Sequence, residues 1–210
     1  MDTFKYKENK LHCEDVNLSE IASSFGTPAY VYSKKALTEN ALMYVNSFTN
    51  PDNMACFSVK SLSNLSVLKL LKEVGCGFDV VSGGEMHRAL SIGADPKSII
   101  FSGVGKSSDE IKQGILNKIL SFNVESVSEL YKIEAIAKKL QMNASVSIRF
   151  NPDIDSGGHD YITTGRKGDK FGISSIEDIL NLSTYISESP NLNMVGLACH
   201  IGSQIINLES

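Results

Sequence analysis

Apolar segments centred near Phe57, Val80, Ile100, Phe122, Ile148 and Leu197 recur along the chain, with patterns of helical period between them at 64–74, 84–92, 107–116, 126–140 and 174–187. The first four steps are about 20 to 26 residues each, and the last is longer because a polar loop intervenes. Strands alternating with helices at this spacing mean βαβ units and a parallel sheet, since a parallel return needs a crossover of a dozen residues or more. An open doubly wound sheet and a closed (β/α)8 TIM barrel both satisfy that pattern. The open sheet usually marks its phosphate site with G-x-G-x-x-G after the first strand, and nothing of the kind follows Phe57. A barrel instead gathers working residues at the carboxyl ends of several strands. Lys60, Ser82–Glu85, Ser102-Gly103, Glu125-Ser126, Arg149–Asn151 and His200 all stand at such ends, which favours the barrel.

Six strands can be counted where a barrel of this class needs eight, so the expected fold is α/β, an incomplete barrel of about six βα units. An unclosed sheet leaves two raw edges, and the chain is expected to be the front part of a longer protein. Ahead of the barrel, residues 1–10 are polar and offer no element. Leu18–Phe25 reads as a short helix with Asn17 or Ser19 as cap and Gly26 as stop. Residues 29–33, AYVYS, read as a strand by their β-branched and aromatic content. From Lys34 to about Phe48, Leu37, Ala41, Leu42, Val45 and Phe48 fall on one helical face.

Composition narrows the class. A net charge of -4 lacks the basic footprint of a nucleic-acid binder. The opening residues have no signal-peptide core, and no apolar run is long enough to span a membrane. Cys13, Cys56, Cys76 and Cys199 are scattered without a C-x-x-C pair, which favours reduced thiols in the cytoplasm. His12, His87, His159 and His200 show no ligand spacing, so no metal site is expected.

The segment MACFSVKS, Met54–Ser61, delivers Lys60 at the end of a short apolar strand. An ammonium beside buried surface has its charged form disfavoured, and a partly neutral lysine can form a Schiff base with an aldehyde cofactor. SGGE at Ser82–Glu85 begins a helix with two glycines, where backbone can approach a ligand and the helix N-terminus favours anions. GVGKSS at Gly103–Ser108 is not a phosphate loop, because Ile100 stands where the first glycine of that motif must be. It reads as a glycine-rich turn with a solvated Lys106. The polar, glycine-rich Arg149–Ile173 stretch has the length of a functional loop. CHIGSQ at Cys199–Gln204 puts His200 at a strand end.

Taken together and in order, FGTPAYVYS, FSVKSLSN, FDVVSGGE, NPDIDSGGHDYITTG…KFGI and CHIGSQ resemble the diaminopimelate decarboxylase family. These are pyridoxal 5'-phosphate enzymes related to ornithine and arginine decarboxylases of the alanine-racemase fold type. The likeness runs from about Gly26 to Gln204. It implies that 34–210 is part of a pyridoxal-phosphate-binding barrel and that 1–33 contributes to a C-terminal β-domain mostly missing here. It further implies Lys60 as the lysine in Schiff-base linkage to the cofactor, His200 flat against its ring and Ser203 on its phosphate. Asp79 and Glu85 would lie near the lysine and ring, and Arg149 would line the floor beside them. The implied reaction converts meso-2,6-diaminopimelate to L-lysine and carbon dioxide in a homodimer. Alternatives are a related decarboxylase of the ornithine, arginine or carboxynorspermidine type, or a non-catalytic pyridoxal-phosphate-binding fragment. Ser58 and Ser61 depart from the family, which usually has alanine there, as does Leu62, where it has a small polar residue. The family's glycine-rich phosphate turn, Glu-Pro-Gly-Arg stretch and Cys-Glu and Tyr motifs are not in this sequence.

Overall fold

The computed structural model describes residues 3–50, 52–154, 171–203 and 205. The chain divides into two units, Met1–Phe57 with Asn64–Gly77, and Ser58–Ser63 with Phe78–Ser210.

The first unit opens with three short antiparallel strands, β1 (Phe4–Lys7), β2 (Lys10–Cys13) and β3 (Val16–Asn17). Glu8 and Asn9 join β1 to β2 with φ of 50° and 61°, the paired left-handed residues that a tight hairpin demands. This hairpin was not expected from a segment read as featureless. Helix α1 (Leu18–Phe25) matches its predicted span, with the Asn17 side chain accepting from the Ser19 N–H and Gly26 at its end. Residues 29–33 form no strand, and Tyr30 is 91% exposed while Tyr32 is 49% exposed. Helix α2 (Lys34–Val45) starts where Ser33 caps it, and the Glu14 carboxylate accepts from both the Ser33 hydroxyl and the Lys35 N–H. Helix α3 (Leu65–Glu73) is capped by Asn64 and buries Val67, Leu68 and Leu71.

The larger sheet has the order β4 (Cys56–Ser58), β5 (Gly77–Val80), β6 (Ile99–Phe101), β7 (Ser121–Val124), β8 (Ala144–Phe150), β9 (Leu192–Cys199). From β5 to β9 every neighbouring pair is parallel. The returns are made by α4 (Gly83–Ser91), α5 (Ser108–Asn117), α6 (Val127–Leu140) and α7 (Ile176–Glu188). Sequential strands thus stay adjacent, the winding of an incomplete βα barrel, with six strands among the described residues.

The core of this second unit lies between strands and helices. Phe78, Phe101, Phe122 and Ile148 from the strands are fully buried, as are Ile111, Leu130, Ile133 and Ile186 from the helices. On β9 exposure alternates, and Val195 and Leu197 face outward from the last strand of the order.

Each returning helix begins with the same device. Ser82, Ser107, Ser126 and Ser175 cap α4 to α7, and an acidic residue stands three positions later, Glu85, Glu110, Glu129 and Asp178. The serine oxygen takes the N–H of that third residue, satisfying one of the orphan donors of the first turn.

Close packing also explains a glycine inside α5. A Cβ on Gly114 would lie 2.4 Å from Cζ of Phe122. Gly114→Ala should therefore lower stability by about 1–3 kcal/mol in chemical denaturation. A gain in stability, as helix propensity alone requires, would contradict this packing.

Candidate cofactor site

The working end of the second unit is built where its strands stop. After β4 the chain makes a single 3-10 turn, Val59–Ser61, which buries Val59 and leaves Lys60 exposed. Lys60 thus stands at an open mouth, and the burial expected around its ammonium is not provided by the described residues. Arg149 ends β8. Its Nη1 donates to Glu125 Oε1 at 2.8 Å and Oε2 at 3.1 Å, with side-chain exposures of 11% for Arg149 and 2% for Glu125. The Phe171 ring lies 4.8 Å from the guanidinium carbon, closing its other side.

Phe171 reaches that position because Ile173 bridges back to β8. Its N–H donates to the Arg149 carbonyl and its own carbonyl accepts from Asn151. Gly172, with φ of 74° and a virtual Cβ 2.9 Å from the Arg149 carbonyl oxygen, permits the approach. The rest of the loop expected to be functional, residues 155–170, lies outside the described residues, as does Gln204.

His200 follows β9, exposed at the mouth yet surrounded by enough protein to disfavour its imidazolium. Burial is the first cause of its lowered pKa, and the positive charges of Arg149 and Lys60 come next. A hydrogen bond from its ring to its own backbone carbonyl and the Asp79 carboxylate pull the other way. The structure therefore gathers Lys60, Asp79, Arg149 and His200 into one electrostatic group. Ser203 follows, exposed. Glu85 is placed differently, because its Oε2 accepts the Val81 N–H at 2.9 Å and locks the turn into α4.

Two sequence readings change. Lys106 is not solvated, since it is 6% exposed and Nζ donates to the Gly103 carbonyl (2.7 Å), the Asn123 carbonyl (2.8 Å) and Glu129 Oε1 (2.7 Å). All three ammonium protons are used. At the SGGE turn, Gly83 N–H donates to Glu110 Oε1 at 2.7 Å, and a Cβ on Gly83 would lie 2.9 Å from Glu110 Cγ. The anion at this helix start is thus a neighbouring side chain.

Sequence reasoning missed a row of polar side chains beneath the mouth. Ser58 and Ser102 donate to Asp79 Oδ2 (3.4 Å) and Oδ1 (2.5 Å), and Asn123 Nδ2 donates to Ser102 Oγ at 3.0 Å. The Ser147 hydroxyl donates to Asn123 Oδ1, and Ser121 Oγ lies 3.2 Å from Ser147 Oγ. A polar residue interrupting each apolar strand was the available signal.

This donor set fits pyridoxal phosphate. Lys60 is accessible to an aldehyde, a neutral imidazole offers a flat uncharged face, and Arg149 and Lys60 supply positive charge for an anionic ligand. A strand-end group of this kind on a βα barrel is that of a cofactor-binding enzyme domain. The comparisons make this specific. A family model described as pyridoxal-dependent decarboxylase, pyridoxal binding domain, matches residues 34–210, and the chain belongs to that family. It is 44% identical to the diaminopimelate decarboxylase of Haemophilus influenzae over 209 residues, 100% of this chain and 50% of the relative. Solved diaminopimelate decarboxylases complexed with L-lysine superpose well. That of Helicobacter pylori has a TM-score of 0.87 at 42% identity over 92% of this chain and 49% of its own. That of M. jannaschii has a TM-score of 0.86 at 35% identity, covering 97% and 48%. The chain spans about half the length of the curated relatives it matches.

The Glu110 clasp gives a pH signature. The Gly83 N–H first, and the Ser107 N–H next, hold the Glu110 carboxyl below its usual range. Its folded pKa is depressed, so its contribution to stability is full above the unfolded value of about 4.3 and is lost as pH falls through the folded value. Glu110→Gln should therefore be less stable than wild type at about pH 6, with the gap narrowing toward about pH 3. Denaturation midpoints at both pH values check this, and a gap that stays constant would contradict it.

Proposed function

We propose that the whole protein removes one carboxylate of meso-2,6-diaminopimelate, releasing carbon dioxide and forming L-lysine. The observation that carries this reading is the convergence of Lys60, Asp79, Arg149 and His200 at the strand ends of a chain whose relatives are named for that reaction. Pyridoxal phosphate, when bound, supplies the electron sink that decarboxylation of an amino acid needs.

The roles of the chain's own residues follow from their chemistry. Lys60 Nζ would hold the cofactor through its aldehyde, and its exposure leaves that nitrogen open to a substrate amine. His200, whose imidazolium is disfavoured first by burial and then by Arg149 and Lys60, would offer the cofactor ring an uncharged face. Arg149, gripped by Glu125 and covered by Phe171, holds its position on the floor. Asp79 faces this group as its negative member, Glu85 supports the turn beside it, and Ser203 contributes a hydroxyl to the phosphate. The proton that replaces the departing carboxylate comes from outside these residues.

Residues 1–33 serve a second, β-rich domain, and 34–210 form the cofactor-binding part of the barrel. The resemblance extends the reading to a cytoplasmic homodimer.

The test is carbon dioxide release by the whole protein with added pyridoxal phosphate, offered meso-diaminopimelate, ornithine and arginine in parallel. Turnover of diaminopimelate alone, lost by at least about 10³-fold in Lys60→Ala, is expected. Preference for ornithine or arginine would replace the substrate assignment, and full activity in Lys60→Ala would remove the site.

A further inference from the structure

Five neighbouring strands contribute one continuous line of hydrogen bonds, from Ser121 on β7 through Ser147 on β8, Asn123 on β7 and Ser102 after β6 to Asp79 on β5, with Ser58 of β4 on the far oxygen. Its direction is fixed by its end. An ionised carboxylate only accepts, so the Ser102 proton must point at Asp79. Ser102 then has only lone pairs for Asn123, which must present its NH2, and that turns the Asn123 carbonyl oxygen toward the Ser147 hydroxyl. From Ser147 onward every donor runs toward Asp79, while the Ser121 hydroxyl has both Ser147 Oγ at 3.2 Å and the Phe122 carbonyl at 3.3 Å, and a polar chain connected in this way stiffens a site.

The charges above it explain why stiffness matters. Lys60, Arg149 and Asp79 all act on His200, from the turn after β4, the end of β8 and β5. A carboxylate free to turn would change the field at the imidazole with each orientation. Neutral hydroxyls on both oxygens restrict that freedom without adding charge.

We propose that Ser102 and Asn123 are positioning residues for Asp79: the one-way chain through them fixes the carboxylate as terminal acceptor at the mouth that holds Lys60, Arg149 and His200. The relevance of this to catalysis rests on the reading of Asp79 as part of the cofactor site. Nothing in the proposal requires Ser102 or Asn123 to touch the ligand.

The test is NMR titration of His200 in the cofactor-free whole protein, with 13C-labelled histidine and His200→Gln for assignment. Asp79 raises the proton affinity of His200, so loosening Asp79 lowers it. Asn123→Leu and Ser102→Ala should each move the midpoint down by about 0.3–0.5 pH unit, as expected for weakening one charge in partly solvated surroundings. Asp79→Asn should give a shift at least as large, and adding Ser102→Ala to it should give nothing more. Ser102→Thr, which keeps the hydroxyl, should leave the midpoint at its wild-type value. Ser102→Ala and Ser102→Thr carry the test alone if Asn123→Leu does not fold. An unmoved midpoint in a destabilised Ser102→Ala protein, or shifts that add to that of Asp79→Asn, would overturn the proposal. The readout needs neither cofactor nor substrate, so it fails or succeeds separately from the decarboxylase reading.

Discussion

The site depends first on one buried ion pair, Arg149 with Glu125, across the ends of β8 and β7. Burying such a pair costs several kcal/mol of desolvation per ion, and the cost is offset only where the remaining lone pairs and protons are also satisfied. On the acidic side Glu125 Oε1 accepts the Gly103 N–H as well as Arg149, and the Glu125 backbone N–H donates to Glu129 Oε2 at 2.7 Å. Glu129 in turn holds Lys106, whose other two protons tie the Gly103 and Asn123 carbonyls. The turns after β6 and β7 are thereby joined by charge-assisted hydrogen bonds, with Arg149 projecting from a braced floor.

Above that floor the chemistry is set by a balance of charge. Burial first, and the charges of Arg149 and Lys60 next, disfavour the imidazolium of His200. Asp79 tempers them, and it is held by hydroxyls that bring no charge of their own. A mouth so arranged attracts an anion, accepts an aldehyde at Lys60 and offers an aromatic face. That combination, more than the barrel winding, ties the geometry to pyridoxal phosphate. The winding contributes by bringing residues far apart in sequence, 60, 79, 149 and 200, to one end of one sheet.

Periodicity made most of the second unit legible before any coordinates. The helical patterns at 84–92, 107–116, 126–140 and 174–187 coincide with α4 to α7 to within a few residues, and the six apolar runs match the six strands. What failed were features decided by tertiary partners. AYVYS has strand composition but no neighbouring strand, and β-propensity describes fitness for a half-buried pleated surface that is absent there. The hairpin Phe4–Cys13 was missed because its turn uses Glu8-Asn9 rather than a glycine pair, and Phe4 and Tyr6 remain exposed. Lys106 sits in a polar, glycine-rich turn that gives no sign of Glu129, 23 residues away. Lys60, Asp79, Arg149 and His200 were nameable by resemblance and Ser102 and Glu125 by their place at strand ends, whereas Asn123 and the bonds that join these side chains emerge only when strands are laid side by side.

The assignment of the strand ends as a cofactor site turns on where pyridoxal phosphate attaches. Borohydride reduction of the cofactor-loaded whole protein, followed by peptide mapping, reads that directly. A single pyridoxyl adduct on the peptide carrying Lys60 is the expected result. An adduct on Lys106, or on any lysine away from the mouth formed by Lys60, Asp79, Arg149 and His200, would contradict it.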